Sequence, residues 1–393
     1  MSDPWLTLIG LTDDSVATLP HSTQRVLAEA EMIFGAERHL DLVNAGTRGR
    51  AWPHPFSVEP VLDLQGHKVV VLASGDPFWF GVGGSLAAHL SPNAWTVLPA
   101  ASTFSLVAAA LGWRLEDVGC YGLHAAPFAR MRGALAPGGR YICLMRDGAS
   151  PAAFAEWLTD QGAGMSRMII CERLGGPHQR IRETLAQEYA LTDVAAPLAV
   201  AVALPARIGL SRASGLPDDH FQHDGQITKR PIRALTLSAL APQPGLTLWD
   251  IGAGSGSISI EWCLTGGRAI AFERDAMRAN NIRVNAAAFG VDHLLQVIEG
   301  AALQTLPQDP LPDAVFVGGG ASSALFDALF QRLPSGTRLV VNAVTLETEA
   351  HLVRLQAERG GKLLRIDLAQ AKPLGPLRGW QPMRPIVQWE ITL

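Results

Sequence analysis

Lysine is scarce in this chain of 393 residues, limited to Lys68, Lys229, Lys362 and Lys372. The other 28 of the 32 basic residues are arginine. Against 36 acidic residues the net charge is −4, and only 17% of the chain is charged. A chain so balanced, with a pI near 6.3, lacks the positive field of a general nucleic-acid or anionic-membrane binder. Cysteine is sparse as well. Cys120, Cys143, Cys171 and Cys263 show no C-x-x-C spacing, which argues against a disulfide framework or a structural metal and for buried, reduced thiols. Long hydrophobic runs are missing. The most apolar stretch, 195–206, is broken by Pro197 and Pro205 and falls short of the ~20 residues a membrane span needs. Met1-Ser2-Asp3-Pro4 has neither a basic nor an apolar leader pattern, so a cytoplasmic protein is expected.

What is present is apolar material, 48% of the residues, and 39 glycines. Short apolar runs such as Lys68–Ala73, Leu198–Ala203, Thr247–Ile251, Ala314–Val317 and Arg338–Val341 alternate with helical patterns such as Ser102–Leu111, Ala276–Ala288 and Ser323–Arg332. Continuous apolar strands alternating with helices predict an α/β fold with mostly parallel, doubly wound sheets. The composition turns polar and Pro/Gly-rich after Leu204. This predicts one domain over 1–205, a linker over 206–217 and a second, unlike domain over 218–393.

The strongest motif is Asp250-Ile251-Gly252-Ala253-Gly254-Ser255-Gly256-Ser257, between a predicted strand and a predicted helix. Three alternate glycines permit a tight turn and close approach of a ligand to the backbone. The nicotinamide fingerprint G-x-G-x-x-G places its third glycine one residue later. A carboxylate at Asp250 would repel a pyrophosphate but suits a cationic cofactor. Glu273 ends the next predicted strand, where doubly wound folds hydrogen-bond ribose. The run resembles motif I of the Rossmann-like methyltransferases, which implies S-adenosylmethionine. Together with Ile227-Thr228-Lys229-Arg230, Val315–Gly320, Asn342–Thr348 and Lys372–Gly375, the C-terminal half more narrowly resembles the precorrin C15-methylating, decarboxylating enzymes. That resemblance implies cofactor contacts at Thr228, Asp250, Gly252, Ala253, Gly254, Ser255, Gly256, Glu273, Gly300, Ala301 and Ala302. It departs from the wider family at Ala301, where many members carry an aspartate.

In the N-terminal half, Ser74-Gly75-Asp76-Pro77-Phe78 follows a predicted strand. Alone it reads as a Gly-Asp-Pro turn. With Ala100-Ala101-Ser102-Thr103, a hydroxyl-capped helix start, and Leu174-Gly175-Gly176-Pro177 further on, it resembles the tetrapyrrole methylase family. That family pairs two small α/β subdomains around S-adenosylmethionine. The resemblance implies cofactor contacts at Gly10, Gly75, Asp76, Phe78, Ser102, Thr103 and Met145. The glycine-rich loop usual after the first strand is reduced here to Gly10.

Two unlike methylase halves in this order resemble the fused precorrin-6Y C5,15-methyltransferase (decarboxylating) family of cobalamin biosynthesis. The resemblance implies one S-adenosylmethionine per domain. It also implies C5 methylation in the first domain, and C15 methylation with loss of the ring-C acetate carboxyl in the second. The expected partner is the small tetrapyrrole precorrin-6Y, with no nucleic acid, membrane or metal, in a homo-oligomer. Asn342, Thr345 and Lys229 are the candidates for substrate positioning. Lys229, Arg230, Arg130 and Arg132 are candidate carboxylate partners. The alternative is a methyltransferase acting on another substrate such as RNA. Base-methylating enzymes usually carry Asn/Asp-Pro-Pro-Tyr/Phe where this chain has Val317-Gly318-Gly319-Gly320.

Overall fold

The computed structural model describes residues 4–14 and 16–393. Met1–Asp3, read above as lacking a leader, lie outside the described residues. The chain divides into two compact units. One comprises Met1–Phe128 and Ala134–Gly209; the other comprises Ala129–Gly133 and Leu210–Leu393.

The first unit holds two five-stranded sheets. Strands β1 (Leu6–Leu11), β2 (Met32–Gly35), β3 (Gly49–Ala51), β4 (Val69–Ser74) and β5 (Trp95–Leu98) lie in the order β3-β2-β4-β1-β5. All pairs are parallel. The central strands are apolar at nearly every position because both faces are covered. Leu6, Leu8, Val69 and Val71 point to one cluster and Ile9, Val70 and Leu72 to the other. The second sheet comprises β6 (Val118–Gly122), β7 (Arg140–Leu144), β8 (Arg167–Glu172), β9 (Arg180–Leu185) and β10 (Leu198–Ala203), ordered β6-β7-β10-β8-β9. Here only β6 and β7 run parallel; the other neighbours are antiparallel. Helix Thr103–Leu111 covers one face through Phe104, Val107 and Ala108.

The second unit is built on β11 (Thr247–Ile251), β12 (Arg268–Glu273), β13 (Leu295–Glu299), β14 (Ala314–Val317), β15 (Arg338–Ala343), β16 (Lys362–Ile366) and β19 (Ile386–Thr392). Their order is β13-β12-β11-β14-β15-β19-β16. The first five pair in parallel, and β19 runs antiparallel to both neighbours. A separate hairpin of β17 (Ala369–Leu374) and β18 (Leu377–Pro382) contains the Lys372–Gly375 motif. The strand order reverses between β11 and β14, which places the Asp250–Gly256 loop at the carboxyl edge where open sheets bind ligands.

Residues 210–217 pack into this unit. Leu216 is buried in its core, and Glu261 accepts the backbone N–H groups of Gly215 (2.7 Å) and Leu216 (2.9 Å). Buried Arg233 pairs with Glu261 (2.6 Å) and Asp218 (3.0 Å) and donates to the carbonyls of Leu216 and Thr228. None of the four cysteines forms a disulfide; Cys143, Cys171 and Cys263 are buried and Cys120 only partly. Burial pushes the Cys171 and Cys263 thiols up to about 12. Among the described residues no helix is long and apolar enough to cross a membrane.

Candidate active site

In the second unit, Gly252, Gly254 and Gly256 all take left-handed φ values of 70°, 59° and 74°. A Cβ on Gly252 would stand 2.8 Å from the backbone of Gly319. The two strand-end loops therefore close on each other only because Gly252 lacks a side chain. The N–H groups of Gly252 and Ala253 donate to the Phe272 carbonyl at 3.0 and 3.1 Å. Glu273 accepts from Gly254 N (2.9 Å) and Asp275 N (3.0 Å). Its carboxylate thus ties the glycine loop to the next strand end, besides standing where ribose is expected.

Asp250 is completely buried. Oδ2 accepts from the Ser259 hydroxyl (2.6 Å) and backbone N–H (3.2 Å), at the start of helix Ser257–Leu264. Among the described residues Oδ1 has no hydrogen-bond partner, and neither has the buried Ser255 hydroxyl. Desolvation, with a smaller push from Glu273, raises the Asp250 carboxyl to about 6. These bonds to Ser259 brace the helix start, a structural role beside the cofactor contact expected of Asp250. The orphaned Oδ1, the buried negative charge and the cradle opened by Gly252 do suit a cationic cofactor. Gly300, at φ 142°, donates to the Glu273 carbonyl (2.9 Å), and Ala301 caps the short helix Ala302–Thr305. Thr228 lends its carbonyl to Arg233.

The three residues expected to position substrate have other employment. The Asn342 amide donates to Thr236 Oγ1 (2.9 Å), and its oxygen accepts from Gln388 (2.9 Å), in a network whose other two members are buried. Asn342 itself is only partly buried, but this network engages both ends of its amide. Thr345 caps helix Leu346–Arg359, accepting from Thr348 N at 3.3 Å. Lys229 is the N-cap residue of helix Arg230–Leu240, with its ammonium 3.9 Å from Asp218.

The first unit contains a cavity of about 380 Å³. Gly75, Asp76, Ser102, Thr103 and Met145, separated widely in sequence, all line it. Gly75 sits at φ 60°, with its N–H on the Leu11 carbonyl (2.7 Å); a Cβ there would be 2.8 Å from Ser102 Cα. Asp76 closes its own turn by accepting from Phe78 N (2.8 Å), and Ser102 caps helix Thr103–Leu111. Two expected contacts fall elsewhere. Gly10 does not line the cavity; a Cβ on it would be 1.8 Å from the Gly75 carbonyl oxygen, so its role is to let the two strand ends approach. Phe78 does not line it either and packs tilted against Trp95, with ring centroids 5.1 Å apart. Arg130 and Arg132 lie in the segment that groups with the second unit. The lining instead includes Asp13, Arg38, His39, Trp52, Trp79 and Phe80. Of these, Arg38-His39 was detectable in principle, because it follows β2 at a carboxyl strand end.

The loops and cavity define an S-adenosylmethionine-dependent methyltransferase, and comparison with known proteins agrees. Residues 219–393 match the family described as precorrin methyltransferase domain, and residues 6–190 match the tetrapyrrole (corrin/porphyrin) methylases. A Sinorhizobium protein named precorrin-6Y C(5,15)-methyltransferase [decarboxylating] is 46% identical over 99% of this chain and 96% of its own. A protein of the same name from Mycobacterium tuberculosis is 39% identical over 98% of this chain and 99% of its own. The crystallised C-terminal domain of the Rhodobacter capsulatus precorrin-6Y C5,15-methyltransferase is 54% identical, over 47% of this chain and all of that one, with a TM-score of 0.46. The chain belongs to the precorrin-6Y C5,15-methyltransferase (decarboxylating) family.

Proposed function

We propose that this chain methylates precorrin-6Y at C5 and C15 and removes the ring-C acetate carboxyl as carbon dioxide, giving precorrin-8x. In this reading each unit holds one S-adenosylmethionine. The first unit methylates C5; the second methylates C15 and decarboxylates at C12. The observation that carries the reading is 46% identity running through both halves to a protein of that name.

The bound cofactor supplies an electrophilic methyl group. The chain's own task is chiefly positional, since the meso carbons are enamine-like nucleophiles. Orienting two reactants can lower a barrier by roughly 7–11 kcal/mol. In the second unit Asp250, Gly252–Gly256, Glu273, Thr228 and Gly300–Ala302 would hold the cofactor. In the first, Gly75, Asp76, Ser102, Thr103 and Met145 would do so. Decarboxylation passes the C–CO₂ bonding pair into the ring π-system, and the carbon left behind takes up a proton. The test is incubation of the whole chain with S-adenosylmethionine and precorrin-6Y, read by mass spectrometry. The expected product has gained two methyl groups and lost one carbon dioxide. Unchanged precorrin-6Y, or two methylations without decarboxylation, would refute the reading.

A further inference from the structure

We propose that Arg38 is the anchor for a peripheral carboxylate of the tetrapyrrole in the first unit, held in place by Asp13, Ser74 and His39. The inference rests on the function proposed above and names a substrate-side residue for it. Arg38 is the one lysine or arginine among the described residues lining the cavity. Its guanidinium, 39% exposed, donates from Nη1 to Asp13 Oδ1 and from Nη2 to Ser74 Oγ, both at 2.5 Å. Ser74 is the last residue of β4, immediately before Gly75.

Beneath it, His39 is 5% exposed, with Nε2 3.3 Å from Ser74 Oγ and Nδ1 unpartnered. Burial and the Arg38 charge push His39 down to about 4, so it is neutral at physiological pH. In the tautomer protonated at Nδ1, Nε2 accepts a hydrogen bond from the Ser74 hydroxyl, which leaves that oxygen's lone pairs for Arg38. The imidazole thus sets the serine, and the serine sets the guanidinium. This fixes one planar fork of donors at the cavity, the geometry suited to a carboxylate. Trp52, Trp79 and Phe80 line the same cavity. Phe80 keeps φ at 56°, a conformation costly for an aromatic residue, with half its surface exposed. Apolar ring faces beside one fixed cation match a flat polycarboxylate. The cofactor, with two cationic groups against one carboxylate, has less use for a guanidinium.

The test uses the whole chain with Arg38→Gln and Arg38→Lys. Precorrin-6Y is the substrate, C5 methylation is followed by mass spectrometry, and S-adenosylhomocysteine affinity is followed by calorimetry. Arg38→Gln should raise KM for the C5 step on the order of 10-fold to 100-fold, the range expected for losing a charged hydrogen bond. It should affect kcat less and leave S-adenosylhomocysteine affinity in place; Arg38→Lys should recover part of the KM. Asp13→Asn, which weakens one of the two contacts that hold the guanidinium, should raise KM in the same direction by a smaller factor. An unchanged KM in Arg38→Gln overturns the proposal, as does weaker S-adenosylhomocysteine binding with KM intact, which would assign Arg38 to the cofactor carboxylate. If the wild-type chain leaves precorrin-6Y unmethylated, the proposed function itself fails.

Discussion

Asp250→Asn should stabilise the unliganded second unit at pH 8 while weakening its hold on S-adenosylmethionine. The carboxylate is fully buried, and among the described residues Ser259 is its only hydrogen-bonding side chain. The folded carboxyl titrates at about 6 against 3.8 as its ordinary value, a difference worth roughly 3 kcal/mol. Between these two pH values the folded protein binds more protons than the unfolded chain. Stability therefore falls as pH rises from about 4 to about 6, and it stays lower above that. Asparagine has no such titration. Its amide nitrogen would meet the unpartnered surroundings of Oδ1 at a cost of about 1–3 kcal/mol, but that cost is the same at every pH. The stability difference between Asp250→Asn and wild type should thus shift by about 2 kcal/mol in favour of the variant between pH 4.5 and pH 8, the remainder of the linkage lying below pH 4.5. Scanning calorimetry of the whole chain measures it, with the first unit's transition as the internal reference. Titration with S-adenosylhomocysteine should show weaker binding at the second site. A stability difference independent of pH would refute the claim that a desolvated charge sits at 250. Unchanged affinity would refute its service to the cofactor.

Arg233→Met should cost about 3–5 kcal/mol of second-unit stability, because it strands Glu261, itself nearly buried, without its guanidinium; urea denaturation checks this. Asn342→Ala should lower stability by about 1–3 kcal/mol by unpairing Thr236 and Gln388, with KM for precorrin-6Y unmoved; a raised KM at full stability would return the residue to the substrate. Gly75→Ala should abolish C5 methylation and destabilise the first unit by more than the ~1–2 kcal/mol of a left-handed alanine, since its Cβ would also press on Ser102 and Ala101; ordinary stability in the melt would contradict the geometry.

The sequence by itself determined the elements whose signals are local. Thr247–Ile251, Ala314–Val317, Leu198–Ala203 and helix Ser323–Arg332 stand where periodicity predicts them, because strands covered on both faces are apolar at consecutive positions and helices carry their caps in the chain. The Gly252–Gly256 turn was legible for the same reason: a positive φ at alternate positions demands glycine. Only the tertiary structure decided what each polar group touches. Asn342 carries the same amide whether it faces a substrate or Thr236, and Gln388, its partner, arrives 46 residues later on the antiparallel strand β19. Gly10 and Phe78 flank the first cavity's loops in the chain yet turn away from it, since packing against Gly75 and Trp95 claims them. The Asp13–Arg38–Ser74–His39 cluster joins three strand ends, and no spacing within the sequence records that β1, β2 and β4 lie side by side.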